Sequence, residues 1–172
     1  MMRIWMMTSV ATMVLLPQLA VAQDMPYDPA ATQSCLAEMA DTDMENTNVC
    51  VGRSAEQCAD ASTGGFSTRS MTACMSAEYG LFDEMLNVEY AKVRGLAADL
   101  DKQANGTSFD DVSMGDRLVQ MQRAWIAYRD ATCAFERRQF DGGTIGELVY
   151  IDCLTTLTAD QAFRLQNSVL GL

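Results

Sequence analysis

The stretch SMGDRLVQMQRAWIAYRDATCAFE, residues 113–136, decides the fold. Leu118, Met121, Trp125, Tyr128, Thr132 and Phe135 recur in it every three or four residues, which is the spacing of one helix face and not the alternation of a strand. Ser113 with Asp116 three residues on is the side-chain pairing of a helix start, and Gly142-Gly143 supplies a stop. A second stripe, Gln122, Ile126, Arg129, Cys133 and Glu136, runs beside the apolar one and places Arg129 at the edge of the seam.

The same period continues on both sides. From Ser67 onward Phe82, Leu86, Tyr90, Val93, Ala97 and Leu100 mark a helix that runs to Asn105-Gly106. After Thr144, with Glu147 as its capping-box partner, Leu148, Ile151, Thr155, Thr158, Ala162, Leu165 and Val169 mark another. The first of these, at about 1.5 Å per residue, reaches roughly 54 Å, against a radius of gyration near about 15 Å for a compact domain of this size. The molecule is therefore elongated, or the helix bends at Gly80 or Gly95. Residues 24–66, richer in Thr, Asn, Asp and Gly, read as short helices joined by loops. Asp28-Pro29 starts one through Cys35; Asn48 opens another through Cys58, ended by Thr63-Gly64-Gly65. The expected fold is all-α, a disulfide-stapled antiparallel bundle of three long helices with a short-helix N-terminal segment.

Arg3, the apolar run Ile4 to Leu16, and Ala20-Val21-Ala22 before Gln23 have the order of a secretory signal peptide, with the cut expected after Ala22. The run is shorter than the roughly 20 apolar residues that span a bilayer, and the first cysteine is Cys35, so no lipid-bearing cysteine stands at the cut. The expectation is a mature chain without a membrane anchor, in a periplasm or secreted. Division of the chain follows: a signal peptide over 1–22, a disulfide-linked helical segment over 23–57 and a helical domain over 58–172. The formal net charge is −11, and loss of Arg3 takes it one unit further. Such a chain is repelled by nucleic acid and drawn to cationic partners.

Cys35, Cys50, Cys58, Cys74, Cys133 and Cys153 are an even set in an exported chain, which reads as three disulfides. A zinc site would want close Cys-x-x-Cys pairs or histidine, and the sequence has neither. No metal and no cofactor are expected. Cys133 precedes Phe140, and Cys153 follows Thr144, by similar distances, ~10–14 Å along the two helices, so the pair falls at one height. For the others, Cys35 with Cys50 and Cys58 with Cys74 each span one loop; the crossed pattern, Cys35 with Cys58 and Cys50 with Cys74, stays open. Lack of histidine also removes Ser-His-Asp and Cys-His nucleophile systems, and the glycine pairs lack the phosphate-loop spacing. The chain is expected not to be an enzyme.

Met71-Thr72-Ala73-Cys74, then Asp83, Leu86, Asn87 and Tyr90, then Gln122-Arg123-Ala124-Trp125 with Tyr128-Arg129-Asp130 and Cys133, then Gly142-Gly143-Thr144, and finally Cys153, Leu157-Thr158 and Arg164 form one pattern. Its order and spacing resemble the LprI-like domain, a family of exported helical domains named for a lysozyme inhibitor, over roughly residues 58–170. The segment around Cys35 and Cys50 lies outside it. Folding back through Gly106 to Asp111 sets residues 86–90 against 128–132, so Asp83, Asn87 or Glu89 is expected to hold the Arg129 guanidinium. Asp83, Asn87, Tyr90, Gln122, Trp125, Arg129 and Asp130 then make a polar cluster that locks helix register, or else binds a ligand. The resemblance implies a binding protein for a cationic lysozyme or another cationic exported protein. The turn Phe140-Asp141-Gly142-Gly143-Thr144, an aromatic and an acid on a hairpin tip, is the candidate binding loop. The alternative role is a periplasmic envelope scaffold or adaptor without inhibitory activity.

Overall fold

The computed structural model describes residues 25–40, 48–104 and 111–168. The expected leader with its cut after Ala22, the stop at Asn105-Gly106 and Val169 lie outside the described residues. Those described form helices and no strand: α1 (Ala30–Ala40), α2 (Arg53–Ala61), α3 (Thr68–Ala104), α4 (Met114–Arg138) and α5 (Ile145–Gln166). The expectation of an all-helical, disulfide-stapled bundle holds.

Local chemistry sets the starts. Asp28 Oδ1 accepts the Ala30 amide at 3.0 Å, so α1 opens where Asp28-Pro29 placed it. Asn48 does not open α2: residues 48–50 form a single tight turn, and Gly52, at φ 92, takes a left-handed conformation before Arg53. That conformation interrupts a continuous helix and is cheap only for glycine. Ser113 Oγ accepts the Asp116 amide at 3.0 Å and donates to Asp116 Oδ2 at 2.8 Å, as its spacing predicts. Asp101, one turn before the end of α3, accepts from the Met114 amide at 2.8 Å and the Gly115 amide at 3.0 Å. The end of α3 thus caps the start of α4 and braces the hairpin. At α5 the expected capping box is absent. Thr144 already has helical dihedrals and makes no side-chain cap, while Glu147 pairs across the turn with Arg137.

Helix α3 runs 37 residues through Gly80 and Gly95 without interruption, about 55 Å at the standard rise. Helix α5 is the central element, packing along both α3 and α4. It buries Ile151, Leu154, Ala159, Ala162, Phe163 and Leu165. Leu86, Val93, Leu118, Ala162 and Leu165 form one core cluster, against which Tyr90 and Trp125 pack. Phe82 meets Phe163 edge to face at 6.0 Å, and Leu36 and Val51 close over that pair, docking the N-terminal segment.

Helix α4 is rotated from its expected setting. Tyr128 and Phe135, assigned to the buried face, are 58% and 69% exposed, and Met121 is exposed with them. The inward side carries Leu118 and Trp125 of the expected face together with Gln122, Arg129 and Cys133 of the second stripe, so the seam runs between the two, and Ile126 is exposed. The cause is covalent. Cys133 must face α5 to bond Cys153, and Phe135, two positions on at about 100° each, is then turned to the far side.

Cys35–Cys50, Cys58–Cys74 and Cys133–Cys153 are joined, with Cα–Cα separations of 5.6, 5.7 and 5.5 Å. The crossed arrangement is not adopted.

Candidate functional site

The residues expected to form one polar cluster do not come together as one. Arg129, whose side chain is 13% exposed, donates to Asp130 Oδ1 from Nε at 3.0 Å and from Nη2 at 2.8 Å. Its Nη1 reaches the Tyr79 hydroxyl at 3.5 Å, and its guanidinium lies 4.9 Å from the Trp125 ring centroid. Its partners are thus Asp130 and Tyr79, where Asp83, Asn87 or Glu89 was expected: Asn87 Nδ2 donates to Asp83 Oδ2 at 3.1 Å on α3, and Glu89 pairs with Lys92 at 2.7 Å. Burial pushes the Tyr79 phenol above its ordinary range, against the opposing pull of Arg129. Gln122 accepts from Gln161 Nε2 at 3.0 Å, tying α4 to α5, while Tyr90 and Trp125 belong to the core. Of these hydrogen bonds, Arg129 to Tyr79 and Gln161 to Gln122 run between helices, while Arg129 to Asp130, Asn87 to Asp83 and Lys92 to Glu89 stay within one helix.

The turn Phe140 to Thr144 is exposed throughout. Gly142, at φ 86, lets the chain reverse, and the Gly143 amide donates to the Phe140 carbonyl at 3.1 Å. Arg138 pairs with Asp141, and Arg137 lies over the Tyr150 ring at 5.6 Å. The tip is a held element with an accessible aromatic.

Sequence reading missed Glu78, which is fully buried. Its Oε1 accepts the Thr32 hydroxyl at 2.7 Å and the Gly52 amide at 2.9 Å; its Oε2 accepts the Ala55 amide at 2.5 Å. An acid from α3 therefore caps α2, whose own N-cap, Gly52, has no side chain to offer. Thr32 and Ser54 exchange bonds beside it: the Thr32 amide donates to Ser54 Oγ and the Ser54 amide to Thr32 Oγ1, each at 3.0 Å. The Tyr27 hydroxyl nearby is buried without a partner, and burial, then the Glu78 charge, hold its phenol far above the usual range. The available signal was position: Glu78 lies on the inward stripe between Cys74 and Phe82.

The second missed feature is a cleft of about 360 Å³ where α2, α3 and α5 meet. Ala55 and Ala59 of α2, Met71 and Met75 of α3, and Leu148 and Val149 of α5 wall it. Phe66, 57% exposed, stands at its rim, and its charged lining groups are the two acids Glu56 and Asp152. Burial pushes the Asp152 carboxyl up from its ordinary value of 3.8. A neighbouring depression shares Phe66 and Glu56 and adds Asp60 and Arg53. All the cysteines are paired, and among the described residues no group of acids and cysteines is placed to hold a metal. Among the described residues, no helix is long and apolar enough to cross a membrane.

Curated relatives carry the same kind of sequence. Protein R02472 of Rhizobium meliloti (strain 1021), described as uncharacterized, is 27% identical over 101 residues, 59% of this chain and 73% of its own. An uncharacterized 17.7 kDa protein in the puhA 5' region of Rhodobacter capsulatus is 26% identical over 141 residues, 81% of this chain and 85% of its own. No solved structure matches. The family model described as lysozyme inhibitor LprI matches residues 58–165, beginning inside α2 and running through α5 nearly to its end. With that match over the whole three-helix hairpin and two of its disulfides, the chain belongs to the LprI family.

Proposed function

We propose that this chain is an exported, non-catalytic binding protein that engages a cationic lysozyme and blocks it. The observation that carries the reading is the family match over residues 58–165. The excess of 23 acidic over 12 basic side chains supplies the means of encounter, because opposite charge steers association without itself conferring inhibition. Three disulfides suit an oxidising compartment, and with the leader expected at residues 1–22 they support a periplasmic or secreted product. In this reading residues 23–57 are an appendage to the helical domain of 58–172, held on it by Glu78. Occlusion of a sugar-binding cleft needs a protruding element, and the exposed turn Phe140-Asp141-Gly142-Gly143-Thr144 is the element we assign.

A cell-wall lysis assay with purified protein at low ionic strength tests it. Dose-dependent inhibition that weakens with salt, and that is reduced by F140A or D141N, is the expected result. Undiminished lysis at high micromolar protein would refute it. The scaffold reading is favoured by one observation, the exposed Tyr128 and Phe135 on the outer face of α4; capture of a non-lysozyme envelope protein that persists in high salt would support it.

A further inference from the structure

The cleft between α2, α3 and α5 lies at the same pole of the bundle as the tip turn. Leu148, Val149 and Asp152 belong to the first two turns of α5, and Met71 and Met75 to the first two turns of α3. In an antiparallel arrangement the starts of α3 and α5 share an end with the close of α4, from which the tip projects. One wall, α2, is supplied largely from residues before the start of the family match at residue 58. A volume of about 360 Å³ falls in the range of roughly 300–1,000 Å³ typical of sites that enclose a small ligand or an anchoring side chain.

We propose that this cleft is the anchoring pocket for the cationic partner, taking one large apolar side chain of that protein while a lysine or arginine beside it pairs with Glu56 and Asp152. The proposal rests on the lysozyme-binding reading and names its contact. Three features fix the occupant's chemistry. The walls are apolar, so the inserted group is apolar. Met71 and Met75 are unbranched and polarisable, which lets the floor adapt to its outline. Both charged lining groups are acids, so a basic neighbour is favoured and an acidic one repelled.

The test measures binding of egg-white lysozyme to the disulfide-intact protein by calorimetry, for the wild type, E56Q/D152N, V149W and the control E84Q/D99N on the outer side of α3. Neutral isosteres at Glu56 and Asp152 keep the shape of the cleft, and tryptophan at Val149 fills it. Each is expected to weaken binding about tenfold or more, while the control changes it by less than about threefold. Methyl resonances of Met71 and Met75 in the wild type are expected to shift on titration with lysozyme, and that of Met114 on α4 to stay in place. If the wild type binds but the cleft variants bind equally well and the Met71 and Met75 signals do not move, the pocket assignment is overturned and the inhibitor reading survives. If the wild type binds no lysozyme, both fall together.

Discussion

Replacing Glu78 by glutamine alters a single buried atom and exposes how the N-terminal segment is held. The carboxylate receives three hydrogen bonds, from Thr32 Oγ1, the Gly52 amide and the Ala55 amide. A glutamine oxygen placed at Oε1 keeps the first two, but its NH₂ then faces the Ala55 amide, donor against donor. The flipped rotamer keeps Ala55 and sets the NH₂ against Gly52 and against Thr32, whose oxygen already accepts the Ser54 amide. A bond to a charged group contributes about 1.5–3 kcal/mol, and a stranded buried donor costs about 1–3 kcal/mol, so Glu78→Gln should destabilise by about 2–4 kcal/mol after local relaxation. That is a large share of the roughly 5–15 kcal/mol that holds a domain together. Urea denaturation at neutral pH with disulfides intact measures it; at about 1–3 kcal/mol per molar, the midpoint should fall by about 1–2 M. Hydrogen exchange should speed first in α1 and α2, with α4 and α5 still protected. A midpoint within about 0.3 M of wild type would refute the argument that Glu78 is the cap of α2.

Asp101→Ala should remove the brace between α3 and α4 and lower stability by about 1 kcal/mol, the usual loss for a helix N-cap, read as a shift in the same urea midpoint. The Asp152 carboxyl is raised by burial, so the folded chain holds its proton more tightly than the unfolded one, and stability falls as pH rises from the unfolded value through the folded one. Asp152→Asn should therefore match wild type most nearly near pH 3 and gain on it as pH rises to 6, measured as the difference in melting temperature at each pH; a difference constant across that range would contradict the shift. Paired substitution of Cys133 and Cys153 by alanine should cost about 3 kcal/mol through loss of loop closure across their separation of 20 residues, and leave Tyr128 and Phe135 more protected if α4 turns its apolar face inward.

The long helices were legible because period is a property of the sequence. Ser113 announced the start of α4, and the equal height of Cys133 and Cys153 announced their bond. The rotation of α4 was not legible, because it carries two competing stripes and hydropathy ranks Tyr128 and Phe135 above Gln122 and Arg129. A covalent bond at Cys133 outweighs that ranking, and the polar residues it turns inward find partners in Gln161, Asp130 and Tyr79. Thr144 failed as a cap because it already takes helical dihedrals, and Glu147 pairs with Arg137 in place of closing the box. Glu78 escaped because an acid on an inward stripe looks like an error until the amides it serves, distant along the chain, are in place. The same applies to the cleft, whose walls come from three separate helices.

The order of the sulfur bridges reaches beyond the finished fold. The cysteines pair in order, first with second, third with fourth and fifth with sixth, so in a chain oxidised from its N-terminus onward each later thiol of a pair meets its native partner as the one preceding thiol still unpaired. Oxidation in order of arrival yields the native set, without the reshuffling that nested or interleaved connectivity demands.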